Sequence, residues 1–376
     1  MVMKSRLAAV AALLWLGGAA LAAGGEGLTV PVKLPAYDPA RHACRAPTAA
    51  GLQKKLVFVQ DNRREFMQGV GRGLEAAARA RGLAYSVAFA NNDPALMIKH
   101  VGGIATDKTG AIVVAPIDPP SLAPGLKKVI GAGAYVGAIV PPPATSVLNA
   151  PQYLTGKVLA DAAAHYIRTR LGGKAKVVLL THDGLQFLAP RFTAMRDTLR
   201  TLPGVTLVAD ISPATVDKEG GYRTMKTILL AQPNIDVVLG ADTVVLGALA
   251  ALREAGKARA DQFLGGIDGE PEAVVEIKKG DGPYKASISL ASSIFGYAMG
   301  QHAADWLEGK SIPQAMDILP KALTRSNIAD YERDTADPGA VYADPARRAS
   351  YLKMYGNICF DTRDTYINFP WSSETK

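Results

Sequence analysis

The feature that most constrains the fold is a repeated alternation of short apolar runs with longer amphipathic stretches from Lys55 onward. This alternation is typical of a parallel sheet covered by helices on both faces. It occurs in two sets, separated by a proline-rich break at 141–143 and the segment 149–151. The predicted strands are 56–59, 85–89, 111–115 and 135–140, then 176–181, 206–211, 237–240, 263–267 and 286–290. We therefore predict a doubly wound α/β fold with two lobes, each with its own core.

The first predicted helix carries an apolar stripe at helical spacing, formed by Phe66, Val70, Leu74 and Ala77. The glycines in the segment 69–73 superficially suggest a nucleotide-binding loop. Their spacing is wrong for such a loop, and they lie inside the helical pattern rather than between a strand and a helix. We interpret them as positions where the helix packs closely on the sheet.

The N-terminus has the pattern of an export signal. Lys4 and Arg6 precede an apolar run over 7–21, which ends in the small-x-small pattern at Ala22. We predict that residues 1–22 are removed near Ala22. The alternative is a membrane anchor, but the run is shorter than the roughly 20 residues that a bilayer requires. The predicted location of the mature protein is the periplasm.

Composition excludes several classes of protein. With 48% hydrophobic and 20% charged residues among 376, the chain has the makeup of a globular protein rather than a disordered or coiled-coil one. The formal charge is +8, and removal of Lys4 and Arg6 leaves a surplus of six. Since no basic block or basic-aromatic stripe accompanies this surplus, we expect no nucleic-acid partner.

The chain has two cysteines, Cys44 and Cys359. In an oxidising compartment the favoured interpretation is one disulfide between the N-terminal and C-terminal extensions. A pair of free buried thiols is the alternative. Neither cysteine has a second Cys or a His at ligand spacing, so we expect no zinc site.

Motifs of common enzymes are missing from the sequence. It has no G-x-S-x-G, no H-E-x-x-H and no phosphate loop of the G-x-x-x-x-G-K-[ST] type. His182 follows a predicted strand and Asp183 could orient it, but no Ser or Cys nucleophile lies nearby. We therefore expect a protein without catalytic activity, cofactor or metal.

The segment 241–257, with its pattern A-D-x-x-x-L-G-A-L-A-A-L-x-x-A-G-K, and the following G-G-I-D-G at 265–269 carry a family resemblance. Further matches are N-N-D-P at 91–94 and T-G-K at 155–157. Together they resemble the periplasmic sugar-binding proteins of the ribose/galactose type, which are the solute receptors of ABC importers. The similarity runs from about 55 to 327, nearly three quarters of the chain.

The resemblance implies a chain that crosses three times between two lobes, which hinge around one small molecule and then dock on a membrane permease. By analogy, lobe one comprises about 54–145 plus 291–319, and lobe two about 146–290 plus 320–327. The N-terminal extension is then 23–53 and the C-terminal extension 328–376. The resemblance implies binding without catalysis, and we expect a monomer.

The resemblance also implies a set of ligand contacts, although the matches are uneven. Phe66 and Met67 match two positions that are aromatic in ribose-type members. Arg191 matches an arginine that reaches sugar hydroxyls, and Asp268 matches the family's ligand aspartate. The full expected set is Asn62, Arg64, Phe66, Met67, Arg191, Asp242 and Asp268.

Several of these residues have an alternative interpretation. Arg191 and Asp268 could form an ion pair that closes the empty cleft, and Asp242 could serve the structure rather than the ligand. Asn62 and Arg64 could be solvated loop residues. Phe187 and Phe295 are further candidates for cleft walls, with a core role as the alternative.

Four polar contacts that the resemblance implies are missing from the sequence. An Asp-Arg pair is replaced near 140–141, an asparagine by Ala241, and a glutamine falls near Leu290. Buried polar groups of a ligand need partners, so an ordinary pyranose or ribose is not expected to fit unchanged. The expected ligand is less hydroxylated, smaller or charged.

The C-terminal extension carries more aromatic residues than a flexible tail needs, so we predict that it packs on the lobes. Similar extensions occur in relatives such as the autoinducer-binding receptor. This leaves open a sensor that presents its closed form to a membrane receptor kinase, and a dimer contact is another use of the extension. An enzyme or a DNA-binding regulator of the same fold is the remaining alternative.

Overall fold

The computed structural model describes residues 34–40, 44, 51–139, 143–184 and 188–366. The strands are β1 (Gln53–Gln60), β2 (Ala84–Phe89), β3 (Thr109–Val114), β4 (Tyr135–Ile139), β5 (Ser146–Asn149), β6 (Ala175–Leu180), β7 (Val205–Ile211), β8 (Val237–Leu239), β9 (Phe263–Asp268), β10 (Tyr284–Ser289), β11 (Ala315–Ile318), β12 (Lys321–Leu323) and β13 (Leu352–Tyr355). The helices are α1 (Glu65–Ala80), α2 (Pro94–Thr106), α3 (Pro119–Gly131), α4 (Gln152–Arg170), α5 (Ala189–Arg200), α6 (Lys218–Ala231), α7 (Asp242–Glu254), α8 (Pro271–Lys279), α9 (Ser292–Leu307), α10 (Ile328–Ala336), α11 (Pro338–Ala343) and α12 (Pro345–Ala349). A 3₁₀ helix covers Phe360–Tyr366. The predicted signal 1–22, Phe187 and the segment 140–142 lie outside the described residues.

The strands form two sheets, which confirms the predicted two-lobed α/β fold. The first sheet has the order β13-β11-β5-β4-β3-β1-β2 and the second β12-β10-β9-β8-β6-β7. Only β12 and β13 run antiparallel to their neighbours in the described part of the sheets. Central strands such as β3 are buried along their whole length, as expected for a sheet covered on both faces.

The expected boundary between the lobes at 145/146 is wrong by four residues. The segment 146–149 was assigned to lobe two, but it forms β5, which pairs in parallel with β4 of the first sheet. The chain crosses to the second sheet only after Asn149, through Ala150 and Pro151. A four-residue strand next to a turn is too short to show a period of two in the sequence.

The chain crosses between the sheets after β5, after β10 and after β11, which gives the three expected crossings. The C-terminal extension adds a fourth. It leaves the second sheet at β12, passes through α10, α11 and α12, and adds β13 to the edge of the first sheet next to β11. The predicted packing of this extension is seen in the first-lobe core, which contains Val341, Tyr351, Leu352 and Ile358.

The predicted disulfide joins Cys44 to Cys359, with 5.4 Å between their Cα atoms. It connects the N-terminal segment to the residues after β13. The same segment also pairs with β13 through Ala36 and Tyr355. The described residues of the N-terminal extension therefore contact the C-terminal extension at β13 and at Cys359.

The glycines of α1 pack mainly against a helix, and not against the sheet as predicted. A Cβ atom at Gly73 would lie 2.0 Å from the carbonyl oxygen of Ser293 in α9, so only glycine allows this approach. Sequence periodicity shows that a face is buried, but it does not show which element covers it.

Candidate functional site

Each sheet reverses its strand order at one point, and these two points locate the candidate site. The parallel strands follow the order β2-β1-β3-β4-β5 in one sheet and β7-β6-β8-β9-β10 in the other. In open α/β sheets, ligands bind outside the carboxyl ends of the strands at such a switch point. The loops after β1 and β3, and those after β6, β8 and β9, are therefore the candidate walls of a cleft between the lobes.

The loop after β1 is held by its own polar side chains. Asn62 donates from Nδ2 to Oδ1 of Asn92, 2.9 Å away, and its Oδ1 accepts from the backbone N–H of Arg64 at 3.1 Å. Arg64 donates from Nη1 to Oδ2 of Asp61 at 2.6 Å, with half of its side chain exposed. Asn62 and Arg64 thus lie at the carboxyl edge of the first sheet, as predicted, and hydrogen bonds fix their positions.

Phe66 and Met67 of α1, both predicted to contact the ligand, lie in different environments. Phe66 is half-buried, with its ring centroid 6.3 Å from that of Phe295. Met67 is fully buried in the core of the first lobe, so its assignment as a ligand contact is wrong. Neighbouring residues of a helix point about 100° apart, and here the second one faces the sheet. Phe295 is also a core residue, with 1% exposure.

Phe89, at the end of β2, is a residue that the sequence analysis missed. The guanidinium carbon of Arg63 lies 3.7 Å from the centroid of the Phe89 ring, which is a stacked cation–π geometry. The ring stands at the carboxyl edge of the first sheet, next to the loop that carries Asn62. The sequence signal for Phe89 was its position as the last residue of a predicted strand.

Arg191 enters the site from the start of α5. Its side chain is 5% exposed, and Nε donates to Oε1 of Gln152 at 2.9 Å. Gln152 begins α4, immediately after the first crossing. Gly156 makes this arrangement possible, because a Cβ atom there would lie 1.8 Å from the carbonyl oxygen of Arg191. The arginine is therefore positioned by the close approach of α4 and α5.

Asp268 ends β9 in a half-buried position with a φ of +119°, a conformation that favours glycine. Burial raises the pKa of its carboxyl, while the charges of Arg191 and Arg64 act in the opposite direction. No residue in the described part of the chain donates a hydrogen bond to this carboxylate. Arg191 thus influences Asp268 through its charge, and the carboxylate is left to a ligand or to solvent.

Asp242 does not face the cleft, so its assignment as a ligand contact is wrong. It is fully buried and accepts from Tyr284 Oη at 2.7 Å, from Ser287 Oγ at 2.6 Å and from the Glu270 N–H at 2.9 Å. Burial raises its pKa to about 6. Asp242 supports the loop that carries Asp268, because its carboxylate accepts from the backbone N–H of Glu270, two residues after Asp268.

Glu270 is the second residue that the sequence analysis missed. It is half-buried and precedes α8 without a side-chain hydrogen bond to that helix. Burial, followed by the nearby Asp242 and Asp268, raises its pKa to about 8. Glu65 of the first lobe raises it further, and Lys218 lowers it. The signal in the sequence was a second carboxylate two residues after the family aspartate.

His182 and Asp183 do not form a catalytic pair. The Asp183 carboxylate accepts from Nη1 and Nη2 of Arg196, at 3.2 and 2.5 Å, and the same guanidinium binds Asp210. Burial lowers the pKa of His182. Within the described ranges there is no group of three or more His, Cys, Asp or Glu side chains that could hold a metal ion. None of the described helices is long and apolar enough to span a bilayer.

Comparisons with known proteins agree with this geometry. Residues 55–311 match the model of the periplasmic binding protein domain. The chain is 24% identical over 290 residues to the ribose import binding protein of Bacillus subtilis, covering 74% of this chain and 90% of that protein. It is 27% identical over 322 residues to a xylitol-binding protein of Mycolicibacterium smegmatis, covering 83% and 86%. A solute-binding protein from Bacillus halodurans with bound myo-inositol has a TM-score of 0.65 at 21% identity, covering 76% and 99%.

Proposed function

We propose that this chain, which belongs to the periplasmic binding protein family, is the receptor of an ABC importer for a small sugar or polyol. The ribose/galactose-type resemblance seen in the sequence is confirmed by the family match and by the ribose- and xylitol-binding relatives. These relatives are binding proteins, so the protein is a solute binder rather than an enzyme.

One observation carries the proposal: the buried guanidinium of Arg191, which follows β6, and the carboxylate of Asp268, which ends β9, lie at the carboxyl edge of the second sheet within reach of each other's charge. The carboxylate has no hydrogen-bond donor among the described residues, although it is half-buried. A buried polar group without a partner is costly, and ligand hydroxyls would supply the missing donors. Asn62, Arg64 and Phe66 are the proposed contacts from the first lobe.

In the proposed mechanism, the three short crossings between the lobes act as a hinge. Closure of the lobes brings the loop after β1 toward the loop after β9, so that one ligand contacts both. A ligand that binds the closed form more tightly than the open form shifts the population toward closure. The closed form is then the state that a membrane permease recognises, and no covalent bond of the ligand changes.

We further propose that the protein is exported, with its signal removed near Ala22. The permease is the proposed partner. If the partner were a receptor kinase instead, ligand binding would change kinase phosphorylation in reconstituted membranes without ATP-driven uptake of the solute. Uptake into vesicles that contain the cognate permease and ATPase supports the importer.

The ligand site is tested with a panel of small sugars and polyols, screened by thermal shift and followed by calorimetry. We expect stabilisation by one or a few members, with micromolar affinity corresponding to about 8 kcal/mol at standard state. Arg191→Ala and Asp268→Asn should each weaken binding at least tenfold. Arg79→Ala, an exposed arginine paired with Glu75 in α1, is the matched control and should not change the affinity. Unchanged binding in both site variants would contradict the site, and chemical turnover of a panel member would contradict the function.

A further inference from the structure

We propose that the solute bound in this cleft carries a protonated amino group, seated between the carboxylates of Asp268 and Glu270, on a small hydroxylated skeleton. This inference rests on the proposed function, because it assigns a chemistry to the ligand of the same cleft. It makes Glu270 the residue that determines specificity for a cationic solute.

The two carboxylates belong to one short loop after β9. Asp268 and Glu270 are separated only by Gly269, whose N–H donates to Ser287 Oγ at 3.0 Å. The Glu270 N–H is held by Asp242 at 2.9 Å. The backbone of the loop is therefore anchored from below by buried groups, while both carboxylates remain available above it.

The carboxylates of Asp268 and Glu270 have unused capacity to accept hydrogen bonds. Within the described residues, neither the Asp268 nor the Glu270 side chain accepts a hydrogen bond, although both are half-buried. Glu270 precedes α8 but does not cap it. An ammonium group has three N–H donors and a positive charge, so it can satisfy two carboxylates at once.

The charged side chains around Asp268 and Glu270 favour a cationic group on the ligand. Of the nearby cations, Arg64 is paired with Asp61, Lys218 with Glu272, and Arg191 donates to Gln152. Glu65, which is paired with Arg72, stands on the first-lobe side, and its negative charge raises the pKa of Glu270. Complementary potentials favour a cation at this end of the cleft over an anion. A small acid, one of the expectations from the sequence, is disfavoured there.

The sequence lacks several polar ligand contacts that the ribose/galactose-type resemblance implies. The polar partners lost near 140–141, at Ala241 and at Leu290 would serve hydroxyl groups in ribose-type relatives. Leu290 is buried and apolar in the structure. Fewer hydroxyl contacts in a cleft where Asp268 and Glu270 lie two residues apart favour a ligand that carries an amine in place of a hydroxyl.

Proton release provides an independent readout. Burial, together with the charges of Asp242 of α7, Asp268 of β9 and Glu65 of α1, raises the pKa of Glu270, and Lys218 of α6 lowers it; the resulting pKa is about 8. The carboxyl is therefore largely protonated at pH 7. A bound ammonium stabilises the ionised form, so binding should release a proton, and affinity should rise up to about tenfold per pH unit between pH 6 and 7.5.

The experiment uses the full mature protein and matched pairs of probes. These are xylitol with 1-amino-1-deoxyxylitol, D-glucose with D-glucosamine, and myo-inositol with an amino-deoxy-inositol. Calorimetry at pH 7 in two buffers with different ionisation heats gives affinity and proton release together. We expect the amino member of at least one pair to bind tenfold or more tightly than its neutral partner, with proton release. Glu270→Gln should weaken its binding at least tenfold and abolish the release, whereas the exposed Glu75→Gln should do neither.

The outcomes separate the inference from the proposed function. Equal or tighter binding of the neutral members overturns the inference and leaves the sugar or polyol receptor intact. Binding of no member of any pair contradicts both. Amine binding that is unchanged in Glu270→Gln, or that releases no proton in the wild type, also overturns the inference. Glu270→Gln removes no hydrogen bond of the fold, and circular dichroism with thermal melting checks that the variant is folded.

Discussion

Ser289 donates from Oγ to the phenol oxygen of Tyr331 at 2.6 Å, which joins the second crossing of the hinge to the C-terminal extension. Ser289 is buried at the end of β10 and also accepts from the N–H of Ala291 at 2.9 Å. The Tyr331 ring packs against the core clusters of both lobes. The extension is thus a structural part of the hinge.

We expect Tyr331→Phe to destabilise the protein by about 1 kcal/mol, because it removes one hydrogen bond and leaves Ser289 without that partner. Denaturant unfolding monitored by fluorescence measures the change. Tyr153→Phe, which removes an exposed hydrogen bond from the phenol of a half-buried tyrosine to Asp197, is the control and should cost less than about 0.5 kcal/mol. Equal effects of the two variants would show that Tyr331 has no special role at the hinge.

The disulfide should stabilise the folded protein by restricting the unfolded chain, since it closes a segment of 315 residues. We expect the double variant Cys44→Ser/Cys359→Ser to lose about 2–5 kcal/mol. The wild type with reductant should shift toward the same melting temperature, while the double variant should not respond to reductant. A double variant that melts with the oxidised wild type would contradict this contribution.

Gly156→Ala should disturb the ligand site without changing any polar group. The new Cβ would collide with the carbonyl of Arg191, so α5 must move, at a cost of about 1–3 kcal/mol. Ligand affinity should fall along with stability, as measured by calorimetry and melting. Gly102→Ala is the matched control, because its helix position has open space, and it should be neutral or stabilising by up to about 1 kcal/mol. Gly156→Ala with wild-type affinity would separate Arg191 from ligand binding.

His302 predicts sensitivity to acid. It lies in α9 with 1% exposure, and burial lowers its pKa to about 4. The unfolded chain, with a histidine pKa of about 6.5, binds a proton that the folded chain excludes between pH 6.5 and 4. The contribution of His302 to the free energy of unfolding should therefore fall by up to about 3 kcal/mol as the pH is lowered across this window. Asp242 and Glu270, whose pKa values are raised in the folded protein, act in the opposite direction, so this contribution is measured as a difference between variants.

The control for this pH dependence compares two histidines. His302→Leu removes one titrating group, so the unfolding free energy of the variant relative to the wild type should rise by up to about 3 kcal/mol as the pH is lowered from 6.5 to 4. The exposed His165→Gln should leave the profile unchanged. A difference between His302→Leu and the wild type that stays constant with pH would contradict the contribution of His302.

Several site features followed from the sequence because they depend on position along the chain. Asp268, Arg191 and Asn62 each follow a strand or begin a helix at the carboxyl edge of a sheet, and topology brings such positions together. The orientation of a side chain does not follow in this way. Met67 and Asp242 also stand at positions that the family resemblance assigns to the ligand site, but packing places both of them in the core.

The sequence by itself determined the two-lobed α/β architecture and nine of its strands, and it favoured a disulfide between its two cysteines. These features depend on hydrophobic periodicity, which is a local property, and on the count of cysteines. Only the tertiary structure decided the short strands β5, β11, β12 and β13, the fourth crossing, and the exposure of Glu270 beside Asp268. Short strands acquire their hydrogen bonds from distant neighbours, and the environment of a carboxyl group is set by charges that lie far away along the chain.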